Sequence, residues 1–334
     1  MKQTLQVRLG RSIRVHAASW SLLALPVVSC VAPEPPEFDG LRALSDVVTQ
    51  VEFGPRVPGT LAHRRCGEWL AAQLRESAGD VKRQAFFHLS ERGASGTDSV
   101  PDTLPMWNLI ASFNTESTDR VMICAHWDSR PFSDQDPDSS FHHVPVPGGN
   151  DGGSGVAVCL ELARMMAVVP PPFGIDLVLF DGEDLGEQGS LKEYLIGSRW
   201  FVQQAGKYRP HAVILLDMVG DENLSIPREY YSDSIAPGLT NLVWNTAARL
   251  GIESFVDTLA GAIIDDHLPF LYDGIPAVDI IDFDYPYWHT HEDTADKVSA
   301  SSLSDVGTVL RALIYDTPVE QFKFTISTPT AIPR

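Results

Sequence analysis

The sequence predicts a three-layer α/β/α domain around a mixed, mostly parallel twisted sheet. Three observations lead there. Short runs rich in Val, Ile and Leu lack the polar alternation of a half-wetted strand, so they belong in a sheet covered on both faces. Helical segments separate these runs, as the crossovers between parallel strands require. The chain has 334 residues, 44% of them hydrophobic, which is enough for one large core.

In chain order, residues 1–30 read as an export signal. A basic stretch over 2–14 precedes an apolar run over 17–28 that is too short to span a bilayer. The run ends at Val27-Val28-Ser29-Cys30, and a Pro-rich linker over 31–38 follows. A small residue before a Cys, then a tether, resembles a bacterial lipoprotein processing site. That implies a lipid anchor at Cys30 and a periplasmic or membrane-anchored location. A plain cleaved signal with an incidental Cys30 is the other reading.

The α/β domain is expected over 39–325, with 326–334 as a C-terminal tail. A helical pattern begins at Leu41 and breaks at the Gly/Pro cluster over 54–59. Thr60 is placed to cap a second helix that runs through Cys66, Trp69 and Leu70 to about Ser77. Residues 81–88 alternate as an edge strand does. Strands are then expected over 107–113, 121–126, 175–180, 212–216 and 277–281, and helices over 153–166, 191–205, 239–250 and 302–315.

The formal net charge is −19. The signal stretch carries Lys2, Arg8, Arg11 and Arg14 and no acid, so without those four cations the body stands at −23. Such a body argues against nucleic acid and against an anionic membrane surface, since phosphate binding needs clustered Lys and Arg. A monomer is expected. The cysteines Cys30, Cys66, Cys124 and Cys159 have no zinc-knuckle spacing, and the last three read as buried small apolar side chains.

In parallel sheets, ligands bind beyond the carboxyl ends of the strands. Polar residues concentrate at those ends here. His126-Trp127-Asp128-Ser129 follows the 121–126 strand, and a turn from Gly148 to Gly153 carries Asn150 and Asp151 into a helix. Asp181, Glu183 and Asp184 follow the next strand, Asp217 the next, and Asp282, Asp284, Trp288 and His289 the last. Clustered buried anions are costly unless a cation compensates them. Mixed carboxylate and imidazole donors without thiolate suit a catalytic zinc with three protein ligands and an open position. Calcium would want more oxygens.

The strings HWDSRPFSDQDPD (from His126), GGNDGGSGVAVCLELAR (from Gly148), LVLFDGEDLGEQGS (from Leu177), ILLDMVGD (from Ile214), DDHLPFLYDGIPA (from Asp265) and WHTHEDT (from Trp288) together resemble the zinc aminopeptidase superfamily. They resemble in particular its glutaminyl cyclase branch, in the bacterial form, and FGPRVPGTLAHRRC from Phe53 fits as well. The resemblance spans roughly residues 40–320 and implies a zinc-aminopeptidase-like fold.

It implies the following roles. Asp151, Asp184 and His289 hold a single zinc ion. Glu183 is the acid/base, with Asp217 and Asp265 as acidic partners in a hydrogen-bond network that raises its pKa by repulsion. Trp288 walls the substrate pocket. His126 matches a second-zinc ligand of the two-metal aminopeptidases. The implied reaction is that of a glutaminyl-peptide cyclotransferase: N-terminal Gln of peptides or proteins becomes pyroglutamate and ammonia leaves, with zinc polarising the γ-amide.

Two departures stand out. Asp184 is one methylene shorter than the Glu often found there. An aromatic that animal cyclases carry shortly after the acidic pair has no counterpart in the Leu-Gly-Glu-Gln-Gly stretch over 185–189. A two-zinc aminopeptidase remains the alternative, because His126, Asp151, Asp184, Asp217 and His289 are all present. Trp288 directly before His289, and the tandem acids Asp265-Asp266 before His267, favour the cyclase. A non-catalytic, zinc-containing peptide-binding lipoprotein is the third reading, and Glu183 speaks against it. His291 is expected outside the metal shell, His142 and His143 in a polar loop, and Trp107 and Trp127 in the core. Asp134, Asp136 and Asp138 lack the Gly and closing Glu of a calcium loop.

Overall fold

The structure, a computed structural model, describes residues 4, 10, 33–90, 102–187 and 192–326. Cys30, nearly all of the expected signal, and residues 327–334 of the expected tail lie outside them. All the elements below belong to the compact unit Glu34–Arg334.

Helix α1 (Gly40–Glu52) starts where the Asp39 carboxylate accepts from the Arg42 amide at 3.0 Å. Helix α2 (Leu61–Ala78) starts at Thr60, whose hydroxyl accepts from the His63 amide at 3.2 Å, the cap that the sequence predicts. Strands β1 (Val81–Ser90) and β2 (Asp102–Phe113) pair antiparallel from Val81 opposite Ala111 to Ser90 opposite Asp102. Strand β2 begins five residues before the expected 107–113 strand. Pro105 hides that start, because proline in a run reads as a strand breaker. It is tolerated where β2 pairs with β1 alone, since pairing with β4 starts only at Leu109.

A doubly wound core follows, with β3 (Arg120–His126), α3 (Gly153–Val168), β4 (Gly174–Phe180), α4 (Ile196–Gln204) and β5 (Val213–Asp217). A smaller excursion holds β6 (Ile226–Arg228), α5 (Tyr230–Ile235), α6 (Pro237–Leu250), β7 (Phe255–Leu259) and α7 (Leu268–Tyr272). The chain then returns as β8 (Ala277–Ile281) and closes with α8 (Ala300–Tyr315). The main sheet runs β1-β2-β4-β3-β5-β8, with β4, β3, β5 and β8 parallel and β1 and β2 antiparallel; β6 and β7 form a separate parallel pair. Strands β4, β5 and β8 are buried along their whole length, as a sheet covered on both faces demands.

Helix α3 packs on β3, β4 and β5 and also touches α1, α2 and α8. Gly155 allows the approach, since a Cβ there would lie 2.3 Å from the Leu216 carbonyl oxygen. The Phe180 ring meets Phe201 of α4 at 5.8 Å and Phe270 of α7 at 6.0 Å. Trp107 and Trp127 are core residues, stacked around His63. Cys66, Cys124 and Cys159 are free and buried, and burial pushes the Cys66 and Cys159 thiols up to about 12.

The elements absent from the sequence reading are β6, β7, α5 and α7, each of three to six residues. None is long enough to display a period. Helix α4 also begins later than expected, because Leu195 adopts the left-handed conformation (φ 56°) just before it.

The winding fixes where function sits. The chain goes from β3 to β4 on one side, then crosses to β5 on the other. The carboxyl ends of these three strands form the crevice of a topological switch point.

Candidate metal centre

His126 ends β3, and Asp151 lies on the loop entering α3. That loop is gripped from two sides. The buried Arg56 guanidinium donates to the carbonyls of Trp127 (2.9 Å), Pro147 (2.9 Å) and Gly148 (2.7 Å). The Asp293 carboxylate accepts from the amides of Asn150 (2.8 Å) and Asp151 (3.2 Å). Gly152, at φ 76°, takes the helix N-cap position, and a Cβ there would lie 2.7 Å from the Asp128 carbonyl oxygen. Asp151 therefore does not cap the helix, and its carboxylate is free to face the crevice. Arg56→Met is expected to destabilise the fold by roughly 3 kcal/mol or more, since three buried carbonyls lose their donor at about 1–3 kcal/mol each. Urea unfolding measures it.

Glu183 and Asp184 follow β4. Their amides donate to the two oxygens of the buried Asp128 carboxylate at 3.1 and 3.3 Å, which sets the direction of both side chains. Asp217 ends β5 and is followed by Met218 at φ 47°, while His289 itself sits at φ 54°. Left-handed backbone at a non-glycine residue costs on the order of 1–3 kcal/mol and persists where the surroundings impose it. Met218 and His289 both line the same crevice.

These residues converge into two groups that share one carboxylate. His126, Asp151 and Asp217 form the first, and Asp151, Asp184 and His289 the second; within each, the ligand atoms lie within 4.8 Å of one another. His126 Nε2 is 3.1 Å from Asp151 Oδ1 and 3.2 Å from Asp217 Oδ1. His289 Nε2 is 3.3 Å from Asp184 Oδ2 and 3.6 Å from Asp151 Oδ2. One oxygen of Asp151 thus faces each group.

The electrostatics fit a cation. Against the penalty of burial, Asp217 and the neighbouring carboxylates of Asp128 and Asp151 push His126 well above the ordinary imidazole value. Against the same penalty, Asp184 and Asp134 push His289 up to about 9. Asp184 Oδ2 is buried with no hydrogen-bond partner. A field that holds two buried imidazoles protonated, beside an unpartnered carboxylate oxygen, is one that a divalent ion would satisfy while displacing the protons. The N/O donor set without thiolate matches zinc among the common ions.

Glu183 belongs to neither group but lines the same cleft as Asp151, Asp184, Asp217 and His289. Burial, then Asp184, then Asp265 raise its carboxyl well above the ordinary value. The sequence reading named Asp217 and Asp265 as the cause. Burial leads instead, and the Asp217 charge is felt at Asp265. Asp217 is engaged with His126, and Asp265 accepts from the Asp266 amide at 2.5 Å. Trp288 stacks on His289 with ring centroids 3.9 Å apart and lines the cleft.

Other strand-end acids lie elsewhere. Asp181 bonds His63 at 2.9 Å and the Trp107 amide at 2.8 Å inside the core. Asp282 accepts from the Ser225 amide at 2.9 Å. His291 stacks on Phe141 and bonds Asp136, outside both groups. His142 Nε2 donates to the Asp136 carbonyl at 2.8 Å. Sequence reasoning missed Asp128, Arg130, Asp293 and Tyr194. Tyr194 lines the cleft beside Trp288, so an aromatic does follow the acidic pair, ten residues after Asp184.

Comparison with known proteins places these residues in a wider frame. Residues 108–314 match the model of peptidase family M28. Aminopeptidase YwaD of Bacillus subtilis is 32% identical over 216 residues, covering 61% of this chain and 42% of that protein. The glutaminyl-peptide cyclotransferase of Boiga irregularis is 24% identical over 244 residues, covering 63% of this chain and 65% of that protein. The chain therefore spans less than two thirds of the length of either. The crystal structure of Porphyromonas gingivalis glutaminyl cyclase is 39% identical and superposes with a TM-score of 0.77 over 82% of this chain and 96% of that one.

Proposed function

The chain belongs to peptidase family M28, and from that membership and the shape of its cleft we propose that it is a zinc-dependent glutaminyl-peptide cyclotransferase, acting on peptides or proteins that begin with Gln. The observation that carries this reading is the wall formed by Trp288 against His289, in a cleft that also holds Glu183. A Gln side chain must fold back on its own amine to cyclise, and a rigid indole beside the metal ligands enforces a folded, dehydrated conformer. The reacting groups are already tethered, so orientation supplies much of the acceleration. The similarity to the Porphyromonas cyclase supports the same reading.

Zinc held by Asp151, Asp184 and His289 would supply Lewis-acid polarisation of the γ-amide. The other work falls to the chain. Glu183 takes a proton from the α-amine and returns it to the departing nitrogen as ammonia leaves. Its raised carboxyl, set by burial and the Asp184 and Asp265 charges, suits both halves of that transfer. Asp265 and Asp217 line the cleft beside it.

One observation favours a second reading, peptide hydrolysis at N-termini. His126 and Asp217 complete a second ligand group around Asp151, as a two-ion aminopeptidase site needs. The two readings separate in one assay on purified protein. A Gln-initiated dipeptide is expected to yield ammonia and a pyroglutamyl product, and a Leu-initiated dipeptide to stay intact. Free leucine, with no ammonia from the first substrate, would overturn the cyclase reading in favour of the peptidase.

A further inference from the structure

We propose that Arg130 is a positioning residue that restricts Asp184 to one free oxygen at the metal centre and, through Asp134, ties that carboxylate to His289. The inference rests on the reading of the cleft as a metal site, and not on which reaction runs there. Arg130 follows β3 by four residues and is only 1% exposed. Its Nη1 donates to Asp184 Oδ1 at 2.5 Å. Its Nε and Nη2 donate to the two oxygens of Asp134 at 2.7 and 2.8 Å. Asp134 Oδ1 in turn lies 3.6 Å from His289 Nδ1, the ring nitrogen opposite the one that faces the crevice. One guanidinium thus grips Asp184 of the second group directly and reaches His289 through a single carboxylate.

The consequence for Asp184 is asymmetric. Oδ1 is occupied by the guanidinium, whereas the buried Oδ2 has no hydrogen-bond partner and lies 3.3 Å from His289 Nε2. A carboxylate with both oxygens free can chelate an ion through two atoms. One whose Oδ1 is locked by a charge-assisted bond offers only the second. The planar fork of arginine is needed, because a lysine ammonium cannot serve two carboxylates in fixed directions. Asp134 has a further effect. A bare guanidinium beside the centre would repel a cation, and the paired Asp134 charge offsets it. The Phe132 ring, 4.4 Å from the guanidinium carbon, closes one side.

The test uses the purified full chain loaded with Co2+ alone, read by visible absorption and by competition with a chelator, with circular dichroism as the check on folding. Arg130→Gln releases Asp184 Oδ1, and a folded variant is expected to bind Co2+ with lower d–d intensity, the mark of a higher coordination number. Asp134→Asn keeps the side chain's size but removes its charge and, because an amide nitrogen cannot accept, one of its two bonds from Arg130, and is expected to weaken Co2+ binding about 10–100-fold, as loss of an outer partner does. Spectra and affinities equal to the parent protein in both variants would overturn the proposal. Should Arg130→Gln not fold, Asp134→Asn decides alone, because that side chain is 22% exposed and tolerates the change; parental affinity there overturns the proposal too. Failure of the parent chain to bind Co2+ removes the metal reading itself and the clamp with it, an outcome distinct from an intact metal site with an idle Arg130.

Discussion

Glu183→Gln is expected to keep the fold and the metal while lowering kcat about 100- to 10,000-fold, the range that a positioned acid/base contributes. The substitution is nearly isosteric. The backbone at this point is held by the Asp128 carboxylate through the residue 183 and 184 amides, and an amide side chain does not alter those bonds. Glu183 belongs to neither ligand group, so metal stoichiometry by elemental analysis should equal that of the parent protein. The side chain is only 9% exposed, which leaves little water to replace the lost proton carrier. KM should change little, since the interaction removed operates in the transition state. Turnover near the parental value in a folded, metal-loaded variant would deny Glu183 the role of proton carrier.

Much of this site was legible before any coordinates, and the reason is topological. A parallel sheet gathers the residues that follow its strands, so His126, Asp151, Glu183, Asp184, Asp217 and His289 were readable as one set although they span nearly half the chain. The long central strands were equally plain, because strands buried on both faces give unbroken apolar runs. The same logic overreached at Asp181 and Asp282. Both directly follow a strand, yet Asp181 turns into the core towards His63 and Asp282 towards the Ser225 amide. Sequence gives the end of a strand but not the face on which a side chain emerges one residue later.

What sequence could not supply is contact between loops. Asp134 reads as one tooth of an Asp134, Asp136, Asp138 rhythm, whereas in space it is the partner of Arg130, and Asp136 is the partner of His291. Asp293 supports the Asp151 loop from more than a hundred residues away in the chain. Tyr194 lines the cleft just before the backbone turns left-handed at Leu195 and enters α4. None of these has a period or a spacing, and each depends on where a loop folds back. Short elements such as β6 and α7 are hidden for a related reason, being set by packing against β8 and its neighbours rather than by their own pattern.

Asp151→Ala should empty the metal centre, and comparison with Asp217→Ala should count its ions. Asp151 offers Oδ1 towards His126 and Oδ2 towards His289, so it is the one carboxylate common to both groups. Outer-sphere partners of a metal ligand are worth about 10–100-fold in affinity, so loss of the shared direct ligand should exceed roughly 100-fold. Its backbone is held by Arg56 and Asp293 independently of its side chain, so the loop should stay in place and circular dichroism should be unchanged. Asp217 serves only the His126 group. If one ion sits on Asp151, Asp184 and His289, Asp217→Ala keeps one metal per chain while Asp151→Ala keeps none. If two ions are bound, Asp217→Ala falls from two to one, and the aminopeptidase reading gains the site it needs. A dialysed Asp151→Ala protein that retains the parental metal content and turnover would show that neither group holds the catalytic ion.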